Sequence, residues 1–241
     1  DSSTYTYLIA DPASAEAILI DPVRETVERD LQLLKDLGLT LSATLETHVH
    51  ADHLTGARML KAKTGCKIAY PEMIKSSCID IGIKEGQPFT FGSIALHPLY
   101  TPGHTDHHYA FLLDTPIQKM LFSGDALLIE ACGRTDFQSG SAEALYNSIH
   151  NKIFSLPGET LIYPGHDYEG RFITTVAQEK SRNPRLGGGK SKQQFIDIMD
   201  NLNLPYPRKI DFAVPGNEQC GICPDNIPDA LKGSCPMGDQ G

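Results

Sequence analysis

The chain has 241 residues, 40% of them apolar, with a formal net charge of −9 and a sequence pI near 5.4. That length and apolar content suffice for a sizeable core, whereas the acidic balance argues against nucleic acid, whose binding rests on clustered Lys and Arg. No apolar run approaches the roughly 20 residues that span a bilayer, and no basic-then-apolar leader is expected at Asp1, so the expected partners are small molecules and not a membrane. Six cysteines (Cys66, Cys78, Cys132, Cys220, Cys223 and Cys235) are too few for a disulfide-built scaffold. They point to a reducing compartment, and Cys220-Gly221-Ile222-Cys223 reads as tail thiols.

Along the chain, residues 5–10 and 17–20 are apolar or β-branched runs separated by Asp11-Pro12 and closed by Asp21-Pro22, which predicts a hairpin. Val27, Leu31, Leu34 and Leu37 then recur at helical spacing within 23–38, and Gly38 supplies the stop. Residues 41–46 read as a buried strand that delivers a histidine-rich segment at its end, where open α/β sheets place their ligands. Strands are expected again at 92–99, 109–113 and 119–123. Leu145, Ile149 and Ile153 make an amphipathic helix of 142–154. A short strand at 159–163 runs into Pro164-Gly165-His166, residues 182–189 form a loop, and 191–202 form another helix. After Pro205 the composition turns to Pro and Gly, so 211–241 is expected to be a surface-wrapping or flexible tail of a single domain spanning 1–241.

Thr47-His48-Val49-His50-Ala51-Asp52-His53 concentrates metal-ligand side chains in a turn leaving a strand. A lone histidine is usually a packed or surface residue, but so dense a cluster is rarely packing. Three later segments, Thr101-Pro102-Gly103-His104-Thr105, Ser123-Gly124-Asp125-Ala126 and Tyr163-Pro164-Gly165-His166-Asp167, each set one candidate ligand beside a glycine that permits close backbone approach. For His107 and His108, alternation along the following strand would turn only one toward the site, and roles beside the ligands or on the surface are expected. Cys132 reads as a buried, inert thiol.

In this order the ligand segments resemble the metallo-β-lactamase fold family over residues 5–166. The resemblance implies an α/β fold, an αββα sandwich of two mixed β-sheets flanked by helices, with metal at one edge. Gly124-Asp125-Ala126-Leu127-Leu128-Ile129, Cys132-Gly133-Arg134-Thr135-Asp136-Phe137-Gln138, Leu161 to Tyr168, Asn183-Pro184-Arg185-Leu186, Asn201-Leu202-Asn203-Leu204-Pro205 and Asp211-Phe212-Ala213-Val214-Pro215 further resemble the persulfide dioxygenase (ethylmalonic encephalopathy protein) family. The family resemblance implies one Fe(2+) per chain, held by His48, His104 and Asp125. Two imidazoles and a carboxylate leave positions open for substrate and O2. His50, Asp52, His53 and His166 are then left to hydrogen-bond around the ligands or to mark a second metal position left vacant, with Asp52 as an orienter.

The implied reaction is oxidation of glutathione persulfide by O2 and water to sulfite and glutathione, within sulfide oxidation. Arg134, Tyr168 and Arg185 match positions that this family uses around its substrate, and arginines suit the two glutathione carboxylates. Two features depart from the family pattern: Asp106-His107-His108 replaces a small residue followed by Gly-Cys, and the tail beyond Cys220 is longer. One alternative is a glyoxalase II-like two-zinc hydrolase of glutathione thioesters, which shares the ligand motif. Against it stand the 132–138 segment and the lack of a basic helical carboxy-terminal domain. The other alternative is a non-catalytic persulfide-binding module. The resemblance also suggests a homodimer, in a bacterial cytoplasm or a mitochondrial matrix, the bacterial cytoplasm being favoured.

Overall fold

A computed structural model describes residues 3–223. Strands β1 (Tyr7–Asp11) and β2 (Glu16–Ile20) form the expected antiparallel hairpin, with Tyr7 opposite Ile20. Helix α1 (Val27–Asp36) follows, and β3 (Thr40–Leu45) lies parallel to β2. Helix α2 (Ala57–Thr64), β4 (Lys67–Pro71) and β5 (Ile81–Ile83) complete a five-stranded sheet in the order β1-β2-β3-β4-β5. The second sheet is built from β6 (Phe89–Phe91), β7 (Ile94–Tyr100), β8 (Tyr109–Asp114), β9 (Lys119–Gly124), β10 (Leu161–Pro164) and β11 (Thr174–Thr175), in the order β11-β10-β9-β8-β7-β6. Helices α3 (Ala142–Ser148), α4 (Val176–Arg182), α5 (Lys192–Asp200) and α6 (Ile210–Asn217) accompany it. Both sheets are mixed, the second being antiparallel except where β10 runs parallel to β9.

Side-chain alternation explains the layering. In β2, Ile18 and Ile20 turn inward to join Leu45, Leu96, Phe111 and Phe122 between the sheets, while Ala17 and Leu19 turn outward to Leu34, Leu41 and Leu60 beneath α1 and α2. In β9 the same rule sends Phe122 inward and Leu121 outward, where Leu145, Ile149, Ile153 and Phe195 cover it. The result is α/β/β/α. Each such Leu, Ile or Phe side chain, fully buried, contributes about 1.5–3 kcal/mol. The expected helix over 142–154 runs as α3 and then one wide turn through Ile153, with the Phe154 amide donating to Ile149 O at 2.7 Å. Ser191 and Gln194 form a reciprocal cap that starts α5. Among the described residues no helix is long and apolar enough to cross a membrane.

Two sequence-based expectations are corrected. Of the segment expected to wrap the surface or fray, the described part does not fray: α6 buries Phe212 and Ala213 against Leu54, and this tertiary burial sustains a helix that contains Pro215. Nor are Cys220 and Cys223 thiols. Cys78 and Cys220 form a disulfide across 142 residues of sequence, with Cα atoms 6.2 Å apart, and Cys223 is disulfide-bonded as well. Helix α6 carries Cys220 back into a cluster with Val49, Ile68, Tyr70 and Cys78, a proximity that the linear sequence conceals. Cys66 and Cys132 are free and buried, whereas Cys235 and the rest of 224–241 lie outside the described residues.

Candidate metal centre

Four chain segments meet at one edge of the sandwich. The first leaves β3 and carries Thr47 to His53. Its entry is fixed by Asp21, whose carboxylate accepts from the Thr47 amide at 2.7 Å and from the Thr47 hydroxyl at 2.8 Å. With its proton committed there, Thr47 Oγ1 accepts from His48 Nδ1 at 2.9 Å. His48 Nε2 is therefore the nitrogen with a free lone pair. The second segment, between β7 and β8, presents His104, whose Nδ1 donates to the Arg134 carbonyl at 2.8 Å and likewise leaves Nε2 available. Gly103 is required here: its φ is +141°, and a Cβ would come within 2.3 Å of the Leu145 backbone.

Asp125 follows the end of β9, its Oδ2 3.6 Å from His104 Nε2. The fourth segment leaves β10 with His166, whose Nε2 lies 3.6 Å from Asp125 Oδ1 and 3.8 Å from Asp52 Oδ2. Asp125 Oδ1 and His53 Nε2 are buried without a hydrogen-bond partner. Buried polar atoms in that condition are costly unless something else occupies them.

Among the described residues, three sets bring one ligand atom per residue within 4.8 Å of one another: His48, His104 and Asp125; His50, Asp52 and His53; and Asp21, Glu46 and His50. The first set coincides with the three residues that the family resemblance implies as iron ligands. Its donors fit a transition metal of the iron or zinc kind, since both imidazoles present a lone pair inward beside a carboxylate. Burial, reinforced by the neighbouring imidazoles His50 and His104, pushes His48 well below its usual pKa, so the ring is ready to bind without first losing a proton. His50 points elsewhere, with Nε2 3.1 Å from Asp21 Oδ1 and 3.3 Å from Glu46 Oε2. Although burial opposes its charge, these carboxylates raise His50 well above the ordinary value, and burial raises Glu46 to about 7. Asp52 holds His53 Nδ1 at 3.0 Å and is itself held by the Thr4 hydroxyl at 2.9 Å. His166 joins none of the three sets.

Of the residues expected to face substrate, Arg134 has its guanidinium engaged by Asp136 through two contacts of 2.7 Å and by Pro205 O at 2.8 Å. That fork is occupied. Arg185 donates only through Nη1, to Cys132 O at 2.8 Å and more weakly to Cys132 Sγ, so the rest of its guanidinium faces no described protein acceptor. Tyr168 stacks on the His166 ring with 6.1 Å between centroids, and is largely exposed. Burial pushes the Cys132 thiol up to about 11, which makes it unreactive.

Sequence reasoning missed two groups that shape this site. Asp21 was read only as a turn residue. Asn217, fully buried on α6, donates to the carbonyls of His50 at 2.9 Å and His53 at 2.7 Å and accepts from the Thr55 amide at 2.9 Å, so it clamps the ligand loop from outside. His107 and His108, expected beside the ligands or on the surface, are both buried beside the ligand segments; strand alternation does not apply, because the chain between His104 and β8 is a turn and not a strand.

Residues 1–166 match the family profile of the metallo-beta-lactamase superfamily. The chain is 51% identical over 222 residues, 92% of its length and 85% of the other protein, to the mitochondrial persulfide dioxygenase ETHE1 of Mus musculus. It is 38% identical over 218 residues, 88% of its length and 80% of the other, to a hydroxyacylglutathione hydrolase of Brucella anthropi. Among solved structures, ETHE1 from Myxococcus xanthus superposes with a TM-score of 0.87 at 49% identity, covering 92% of this chain and 96% of that one. Ligand segments, four-layer fold and similarity along nearly the whole chain agree: it belongs to the metallo-β-lactamase superfamily and, within it, to the persulfide dioxygenases.

Proposed function

We propose that this protein is an iron(II)-dependent dioxygenase that oxidises glutathione persulfide to sulfite and glutathione. The carrying observation is the convergence of His48, His104 and Asp125 within 4.8 Å, in a chain half identical to a persulfide dioxygenase over nearly its full length. The overall reaction balances as GSSH + O2 + H2O giving GSH, SO3²⁻ and two protons. The terminal sulfur loses four electrons and O2 takes all four, so no separate reductant is needed. Iron(II), when bound, supplies the redox capacity and the open positions at which sulfur and oxygen are brought together.

The protein's contribution is placement. Thr47 and the Arg134 carbonyl hold the two imidazoles with Nε2 inward, and a preset ligand geometry of this kind lowers the cost of assembling the reacting groups. His166 Nε2 lies between Asp125 and Asp52, with His53 against Asp52, and this side of the site can hydrogen-bond to the water that the reaction consumes. For the substrate anion, Arg185 is the better cation than Arg134, whose fork Asp136 already fills. Tyr168, exposed beside His166, offers a hydroxyl at the rim.

The test is oxygen uptake by iron-loaded protein given glutathione persulfide, with sulfite and glutathione measured together. Equal amounts of O2 consumed and sulfite formed are expected. Hydrolysis of S-lactoylglutathione without O2 uptake on persulfide would overturn the proposal in favour of a thioester hydrolase.

A further inference from the structure

His107 and His108 lie outside the ligand set, yet their rings reach two of the three segments that carry it. His107 Nε2 accepts the Val49 amide, next to His48, at 3.0 Å. His108 Nε2 accepts the amide of Asp125 itself at 3.1 Å. Since each Nε2 is an acceptor, each proton sits on Nδ1: His107 donates to Asp106 Oδ1 at 2.8 Å and His108 to Thr101 Oγ1 at 2.9 Å. The Thr101 amide returns the contact by donating to the His108 carbonyl at 2.9 Å. Both rings are thus locked in one orientation and one tautomer. The His108 ring also stacks against His48, with 5.1 Å between centroids and 29° between planes. Fit around it is close, for a Cβ on Gly124 would fall 2.7 Å from His108 Nε2.

The two histidines follow His104 by three and four residues. Neither donating amide belongs to the sheet ladders, and a buried amide without an acceptor is rare and costly. We propose that His107 and His108 are positioning residues: as a pair they pin the His48 and Asp125 segments to the His104 loop and set the spacing of the three metal-holding side chains. The two sheets bring the segments near one another, and the dipeptide fixes their separation. The inference rests on His48, His104 and Asp125 being the metal-holding set. Supporting groups of this kind, when lost, typically cost about 10–100-fold in metal affinity.

The experiment uses the full chain, stripped of metal and titrated with Co(II) against a chelator, reading both affinity and the ligand-field spectrum. His108→Ala should weaken Co(II) binding by about 10-fold or more and shift the spectrum. His108→Gln, whose side-chain oxygen can accept the Asp125 amide, should restore most of both. A general packing defect would not be rescued in this way. If His108→Ala does not fold, His107→Ala and His107→Gln pose the same question at the Val49 amide. Unchanged affinity and spectrum in the alanine variants, or equal loss with alanine and glutamine, would overturn the proposal. His104→Ala serves as the control: wild-type Co(II) binding in that variant defeats the ligand assignment itself, whereas loss there with none in His108→Ala defeats only the positioning role.

Discussion

Alanine at His48, His104 or Asp125 is expected to abolish iron loading, whereas alanine at His53 or His166 should leave most of it. The first three place donor atoms within 4.8 Å of one another, so each substitution removes a third of the protein's grip on the ion. His166, by contrast, joins no such set, and His53 directs Nδ1 to Asp52 at 3.0 Å. Losing either changes what surrounds the ion, which typically costs about 10–100-fold in affinity and still permits loading when iron is in excess. Metal content per chain, measured after anaerobic reconstitution of each variant, separates the groups. Equal loss in both would mean that His53 and His166 bind metal too.

The second large effect is expected at Asn217. Its side chain makes three buried hydrogen bonds to the backbone of the ligand loop, at 2.7 to 2.9 Å. Asn217→Leu keeps the approximate volume but leaves the His50 and His53 carbonyls and the Thr55 amide unpaired in the interior. At about 1–3 kcal/mol for each buried group left without a partner, a loss of at least about 3 kcal/mol is expected. For a chain of this size that corresponds to a fall of roughly 6–12 °C in melting temperature. Thermal or denaturant unfolding checks it, and a change below about 1 kcal/mol would show that α6 does not clamp the loop.

That Asn217 was not legible in the sequence, while His48 was, has a physical reason. A ligand motif is local: His48, His50, Asp52 and His53 stand within six positions, and the preceding strand with its apolar run announces where they emerge. The β1–β2 hairpin was legible for the same reason, since Asp11-Pro12 and Asp21-Pro22 bracket short alternating runs. Asn217 acts across more than 160 residues of sequence, from a helix whose local composition, with Pro215 and Gly216, argues for a loop. Asp21 likewise carries a turn signal in sequence and an orienting role in space. The short strands β5 and β6 escaped because stretches of three residues bear too little periodicity. The Cys78–Cys220 disulfide joins partners that only the return of α6 brings together.

The same contrast holds for the arginines expected to face substrate. Motif context marked Arg134 and Arg185, but the sequence did not reveal that Asp136, two residues beyond Arg134, engages both Nε and Nη2 of its fork. Arg185 is the one with donors to spare.

Metal occupancy of the reconstituted wild-type chain is the most direct measurement of the central claim. Elemental analysis after loading with ferrous iron under anaerobic conditions should give one iron per chain, with zinc in excess failing to add a second ion. Two ions per chain, bridged by Asp125 and drawing in His53 and His166, would contradict a single-iron oxygenase and point to hydrolysis instead.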